Sequence, residues 1–224
     1  MSYNLAKSYS ALGKKVIIVG ADLRNPQLHK FLGKKRENNG LTTYLSNENF
    51  NDIDSLITKA STDVGLDYLL TGAIPPNPSE LLMRPRIKEL LEVLKQSYDF
   101  IIIDSPPAIT FETLQIIKAS NGVFVPVQPS PLDLMATLPF LQIAREERKK
   151  PLIILNRVMP RAKLTDAMIL RLRYSGAKIA RSRISSKVIF AESFAVGRGV
   201  IDINVTSDAA KEIINVGNEI LRNL

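Results

Sequence analysis

The chain is 224 residues long, which suits one large α/β domain or two small ones and is enough to bury a full core, and its 45% hydrophobic and 23% charged residues are those of an ordinary globular protein. It has no cysteine and one histidine, His29, which excludes disulfides, thiolate catalysis, cysteine-ligated metals and any multi-histidine metal site. The net charge of +8 is uneven: residues 1–110 hold 13 basic and 12 acidic side chains, residues 111–224 hold 17 and 10. A basic half meets nucleic acid, anionic lipid or an acidic partner, or is simply a solvated surface.

In chain order, helical periodicity over Ser2–Leu12 leads into the apolar run Val16–Gly20. Helices are expected next over Phe50–Lys59, Pro78–Gln96, Phe111–Ala119, Leu132–Glu147, Leu164–Tyr174, Ser186–Ala195 and Ser207–Leu221. Strands are expected over Asp67–Leu70, Phe100–Asp104, Gly122–Val127, Leu152–Asn156 and Lys178–Ala180. The strands are rich in Ile and Val and mostly lack alternation, as strands buried on both faces do. Such alternation of strand and helix predicts a doubly wound, mainly parallel sheet, and no Gly/Ser/Pro-rich linker divides it, so residues 1–224 read as one domain. The longest apolar runs, Val16–Val19 and Phe100–Ile103, are too short to span a bilayer, and no apolar h-region follows the start. The default compartment is the cytoplasm.

Ligands of such a sheet bind beyond the carboxyl ends of its strands, and these ends are chemically loaded. VIIVGADLRNP delivers Asp22 and Arg24 to that edge; the carboxylate there either holds Mg²⁺ and orients a nucleophile or caps a turn. YDFIIIDSPP, with Asp104 at the end of four apolar residues, has the form of a Walker B strand. PLIILNRVMPR ends in Asn156, whose amide can read an adenine edge, and Arg157, which can stack on a base; the alternative for Asn156 is a turn cap. His29, on a short helical turn, reads as a packing or surface histidine, and TGAIPPNPSELL as a rigid turn with Ser79 capping the next helix.

Residues Met1 to about Ile109 resemble the catalytic domain of bacterial tyrosine kinases, the autokinases of capsule and exopolysaccharide export. The resemblance is carried by NLAKSYSALGKKVIIVGADLRNPQLHKFLG, NNGLTTYL, LLTGAIPPNPSELL and YDFIIIDSPP. From about Asn121 onward the chain is similar to the ParA/MinD partition and positioning ATPases, through GVFVPVQPSPLDL, LIILNRVMPRAKL, ARSRISSKVIFAES, GRGVIDI and DAAKEI. Both families are P-loop ATPases, and the resemblance implies a fold of that superfamily. It implies ATP and Mg²⁺ as cofactors, with Asp22 and Asp104 catalytic and metal-managing and with Arg24, Asn156 and Arg157 toward the nucleotide. Implied partners are a second copy in a dimer or oligomer and either a membrane-anchored export adaptor or non-specific DNA.

The departures are as informative. These 224 residues contain no G-x-x-x-x-G-K-S/T, whose backbone amides and lysine cradle phosphates. By the resemblance, NLAKSYSALGKK is the helix that follows that loop, so the expectation is a P-loop-type fold with its first strand and P-loop absent and an open slot beside the Walker B strand. Gly20 stands where many of the kinases carry the first aspartate of the VIIVGADLR motif, and the C-terminus EILRNL has no tyrosine cluster. Weak nucleotide binding, or a non-catalytic remnant, is the corresponding expectation.

Between Arg145 and Lys187 the chain has 13 basic and 3 acidic residues. On the ParA-like reading Lys163, Arg171, Arg173, Lys178, Arg181 and Arg183 hold DNA through phosphates without sequence preference. Only Tyr174 interleaves with them, which argues against a base-stacking platform.

Overall fold

The computed structural model describes residues 1–60, 65–106, 110–160 and 163–224, the side chains of residues 111, 112 and 163 excepted. Two compact units emerge, Ser2–Ala119 with Phe194–Gly199, and Ser120–Ser193 with Val200–Leu224 and Met1.

In the first unit the order is α1 (Ser2–Ser10), β1 (Val16–Gly20), α2 (Leu28–Phe31), α3 (Leu41–Ser46), a 3-10 turn (Asp54–Leu56), β2 (Ile57–Lys59), β3 (Leu66–Leu69), α4 (Pro78–Met83), α5 (Arg86–Leu94), β4 (Phe100–Asp104) and α6 (Phe111–Ala119). Its sheet runs β2-β3-β1-β4, with β1 parallel to β3 and β4 and with β2 antiparallel to β3. β1 is buried throughout. Its odd-numbered residues Ile17 and Val19 enter a core with Leu41, Leu45, Leu82, Leu90 and Leu94, and alternation turns Val16 and Ile18 to the opposite face. The ring of Tyr9 from α1 stacks on Phe100 of β4 at 4.6 Å.

Two expected helices are corrected here. Phe50–Lys59 is not one helix. Asp52 accepts a hydrogen bond from the Ser55 amide, a local turn that competes with helix, and the β-branched Ile57 and Thr58 pair with Leu69 and Tyr68 instead. Pro78–Gln96 is two helices, because Pro85 forces Arg84 into extended backbone (φ −67°, ψ 149°).

The second unit comprises β5 (Phe124–Val127), α7 (Pro131–Glu146), β6 (Leu152–Leu155), α8 (Lys163–Tyr174), β7 (Lys178–Ile179), α9 (Ile189–Ala195) up to Ser193, α10 (Val200–Ile203) and α11 (Asp208–Leu221). Its three strands are parallel in the order β5-β6-β7. Ile153 and Leu155 of β6 pack with Leu134 and Leu141 of α7 and with Met168, Ile169 and Leu172 of α8. Ser130 and Ser207 cap α7 and α11 by accepting the amides of Asp133 and Ala210. Among the described residues no helix is long and apolar enough to cross a membrane.

Candidate functional site

The carboxyl ends of β1 and β4 lie side by side. Gly20 and Asp104 are register partners, and the Ala21 amide donates to the Asp104 carbonyl at 2.9 Å. Asp22 follows two residues later, so both sequence-predicted carboxylates belong to one edge of one sheet.

The surroundings fix each carboxylate. Oδ1 of Asp22 accepts the amides of Arg24 (3.2 Å) and Asn25 (2.9 Å), an Asx turn that leaves Oδ2 for another partner. The turn-capping alternative for Asp22 is thus what these hydrogen bonds show. Oδ1 of Asp104 accepts the Ser2 hydroxyl at 2.5 Å. Arg24 donates from Nη2 to the Ser79 hydroxyl at 3.0 Å. That contact corrects the expected role of Ser79, for the residue preceding α4 is Asn77, Pro78 opens the helix, and no side chain caps it. His29 is buried, and burial, with the charges of Arg36 and Lys30, holds its pKa below the ordinary value, as befits a packing histidine.

The loops around this edge are tied down by backbone. Thr71, one residue beyond the Leu70 that follows β3, donates its hydroxyl to the Gly20 carbonyl at 2.8 Å. The amides of Leu41 and Thr42 donate to the carbonyls of Leu70 and Thr71. A Cβ on Gly40 would lie 2.4 Å from the Leu70 carbonyl oxygen, and Gly72, with φ +85°, would meet Gly40 in turn. Ser2 and Thr71 were missed in the sequence. Thr71 obeys the strand-end rule that singled out Asp22 and Asp104, whereas nothing local in the sequence pairs Ser2 with a residue 102 positions away.

Two carboxylates at one edge suit Mg²⁺, which keeps several waters and takes one or two protein carboxylates plus phosphates. Among the described residues no group of three or more His, Asp or Glu side chains gathers as a full metal cage. The donor set thus fits a hydrated cation shared with a polyphosphate, and these 224 residues contain no G-x-x-x-x-G-K-S/T pattern.

In the second unit Asn156 follows β6, its amide donating to Val127 at 2.9 Å, and its side chain is half-buried. Arg157 is exposed in the left-handed region (φ 53°). Both lie just beyond the carboxyl end of β6.

Of the basic residues, the Lys163 side chain lies outside the described residues. Arg171, Arg173, Lys178, Arg181 and Arg183 are all exposed, and none of them is in an ion pair among the described residues. Arg171 and Arg173 are two positions apart on α8, about 200° around the axis, and so flank its buried stripe Met168, Ile169 and Leu172 instead of forming one row. Lys178, Arg181 and Arg222 line a cavity of about 480 Å³ with Asn215, Asn218 and Glu219. Two glutamates of α11 hold this basic segment. Glu219 accepts the amides of Arg181 and Ser182, both at 2.7 Å. Glu212, one heptad earlier, accepts the amide and hydroxyl of Ser185 and the Lys187 ammonium. Burial alone would raise the Glu219 pKa, but these amides and the Arg181 charge bring it below its ordinary value.

Residues 1–154 match the AAA domain family. A stretch of 117 residues is 44% identical to a Klebsiella pneumoniae protein of the cps region, by its name one of the tyrosine-protein kinases, covering 52% of this chain and 16% of that protein. Another of 117 residues is 39% identical to the tyrosine-protein kinase YwqD of Bacillus subtilis, covering 51% of this chain and 46% of that one. The chain thus spans under half the length of these relatives. The fold is that of the cell division ATPase MinD of Pyrococcus furiosus, with a TM-score of 0.81 at 20% identity over 100% of this chain and 92% of that one. With more than half of its length inside the matched region, the chain belongs to the AAA domain family of P-loop ATPases.

Proposed function

We propose that the chain is the ATPase-type domain of a bacterial tyrosine autokinase of polysaccharide export, with Asp22 and Asp104 as its metal-managing carboxylates. The observation that carries this reading is that both carboxylates lie at the carboxyl ends of adjacent parallel strands, Asp104 closing β4 and Asp22 two residues beyond β1, within residues 1–154 that match the family, in a chain about half of which aligns with kinases by sequence. Mg·ATP, when bound, supplies the phosphoryl group. The chain's own residues orient it: Asp22 through the oxygen its turn leaves open, Asp104 through the oxygen not engaged by Ser2, and Arg24 as a nearby cation. Without a cradle of amides and lysine, carboxylates alone repel a polyphosphate, so the 224-residue chain is expected to bind Mg·ATP weakly.

The test joins a strand and a G-x-x-x-x-G-K-S/T loop ahead of Ser2. That chain is expected to bind Mg·ATP and to phosphorylate a tyrosine peptide, and Asp104→Asn is expected to abolish transfer more than binding. A cradle-bearing chain that binds but never transfers to tyrosine overturns the kinase reading. Micromolar binding by the 224-residue chain itself means the phosphates sit elsewhere.

A second reading, a ParA-like ATPase that holds DNA non-specifically, is favoured by the exposure of Arg171, Arg173, Lys178, Arg181 and Arg183. It predicts binding that falls steeply with salt and ignores sequence. Replacing Arg171, Arg173, Arg181 and Arg183 together by Ala should remove most of it; a gel shift that survives the quadruple change discards the reading.

A further inference from the structure

The cavity of about 480 Å³ beside α11 is lined by the second unit alone. It is of a size that small ligands occupy. One wall is β7 with the turn after it, which brings Lys178, Ile179 and Arg181. The other is a single stripe of α11: Asn215, Asn218, Glu219 and Arg222 recur at three- and four-residue spacing, opposite the buried stripe of Ile213, Val216 and Ile220. Leu152 of β6 and Ile179 of β7 supply the apolar surface.

The lining holds three cations and one carboxylate, an excess of two positive charges. Both oxygens of that carboxylate, Glu219, already accept backbone amides, those of Arg181 and Ser182. Lys178, Arg181 and Arg222 are exposed, and none is in an ion pair among the described residues. The carbonyls at the end of α11, which would repel an anion, are occupied as well. Asn218 accepts the Arg222 amide, Ile220 the Asn223 amide, and Glu219 the Asn223 carboxamide at 2.6 Å. The carboxamides of Asn215 and Asn218 make no hydrogen bond among the described residues. Unpaired cations and unpartnered carboxamides thus meet around one apolar wall.

We propose that this cavity binds a small phosphomonoester that carries hydroxyl groups beside its phosphate. Such an ester bears close to two negative charges at neutral pH and offers three acceptor oxygens. That matches the excess charge, with the forks of Arg181 and Arg222 on the oxygens and Lys178 as a point charge. Asn215 and Asn218 each present a donor and an acceptor, the combination that a sugar hydroxyl satisfies. A DNA phosphate carries one charge and no neighbouring hydroxyl, so the lining favours the monoester over a duplex. The site is independent of Asp22, Asp104 and nucleotide binding. It shares Lys178 and Arg181 with the DNA reading, but not Arg222, Asn215 or Asn218.

The test is titration of the full chain with ribose 5-phosphate, followed by calorimetry and by the side-chain N–H resonances of isotope-labelled protein. Saturable binding with a Kd of about 1 mM or tighter is expected for a ligand of this size, with shifts at Asn215, Asn218 and Arg222. Ribose should not bind, and inorganic phosphate should bind about ten-fold more weakly than the ester. Arg222→Ala should weaken the ester about ten-fold or more, and Asn218→Leu should bring it to the affinity of inorganic phosphate. No saturable binding, or binding that shifts none of these three residues, overturns the proposal. Equal affinity for phosphate and ester overturns it too. If a short DNA duplex binds, Arg222→Ala weakens that binding and the ester does not bind, the cavity is part of a DNA surface and the proposal fails. The titrations of the parent chain decide the matter even if a variant fails to fold. The DNA reading stands or falls separately, on the gel shift of the variant that lacks Arg171, Arg173, Arg181 and Arg183.

Discussion

The hydroxyl of Ser2, the first residue of α1, donates to Oδ1 of Asp104, the last residue of β4, at 2.5 Å. An O–H···O⁻ bond of this length is charge-assisted, and it sets the carboxylate beside the positive end of the helix. Helix and strand are thereby joined at the edge where Asp22 also lies. Ser2→Ala should cost about 1.5–3 kcal/mol, the range for hydrogen bonds to charged groups, and Ser2→Thr should recover most of it. Urea unfolding of the two variants checks this; equal midpoints for parent and Ser2→Ala would mean that the bond contributes nothing net.

Arg86 supports the first unit from inside. Its buried guanidinium donates to the carbonyls of Tyr44 (2.9 Å), Glu48 (2.8 Å) and Phe50 (2.5 Å) and lies 4.0 Å from the centre of the Tyr44 ring. The planar fork satisfies three carbonyls at once, one in α3 and two in the loop after it, with a geometry that an ammonium does not reproduce. Arg86→Met should destabilise by about 3 kcal/mol or more, since three carbonyls lose a charged donor at once, and Arg86→Lys should recover only a minor part. Thermal melting gives the order parent, Lys, Met; a lysine variant as stable as the parent would contradict the fork argument.

The strand ends were legible because chemistry and pattern coincide there: a buried apolar run followed by Asp marks a sheet edge whatever the rest of the chain does, and Asp22 and Asp104 fall together accordingly. Arg86 was not legible, because an arginine opening an amphipathic helix looks solvated until three carbonyls from α3 and the loop after it converge on it. The strand Ile57–Lys59 was hidden for a related reason: a three-residue strand has too little period to read, and only its partner β3 defines it. The clamp of Glu212 and Glu219 on residues 181–187 was likewise invisible, since heptad spacing on α11 does not reveal that the carboxylates meet backbone amides.

Gly40 is a position where only the absence of a side chain permits the fold. Its φ of 168° is ordinary extended backbone, so conformation is not the constraint. The constraint is approach: a Cβ would meet the Leu70 carbonyl at 2.4 Å and the Gly72 amide at 2.6 Å, and both are backbone. Gly40→Ala should push the 38–42 segment off the 70–73 segment and break the bonds from Leu41 and Thr42. Hydrogen exchange should show these two amides deprotected while β1 stays protected. Unchanged protection at Leu41 and Thr42 would rule this out.

The last prediction concerns pH. Glu219 has its pKa lowered in the fold because, against the effect of burial, its two oxygens accept the amides of Arg181 and Ser182 and face the Arg181 charge. A carboxyl depressed on folding contributes stability that is fully present above its ordinary value of 4.5 and is lost as the pH falls below that value and through the lower folded one. Glu219→Gln removes the charge and turns an NH2 donor toward a backbone N–H. The variant should therefore be less stable than the parent by about 1–3 kcal/mol at neutral pH. The gap should narrow as the pH is lowered through the Glu219 titration, where the parent loses what the variant never had. His29 also destabilises the fold in acid, since its pKa is held down by burial and by Arg36 and Lys30; its loss sets in from about 6.5 downward and is common to both proteins, so it cancels in the difference. Denaturant unfolding of parent and variant from pH 7 down into the acid range measures that difference directly, and a gap that stays constant below 4.5 would show that the carboxylate charge on α11 is not what holds residues 181 and 182.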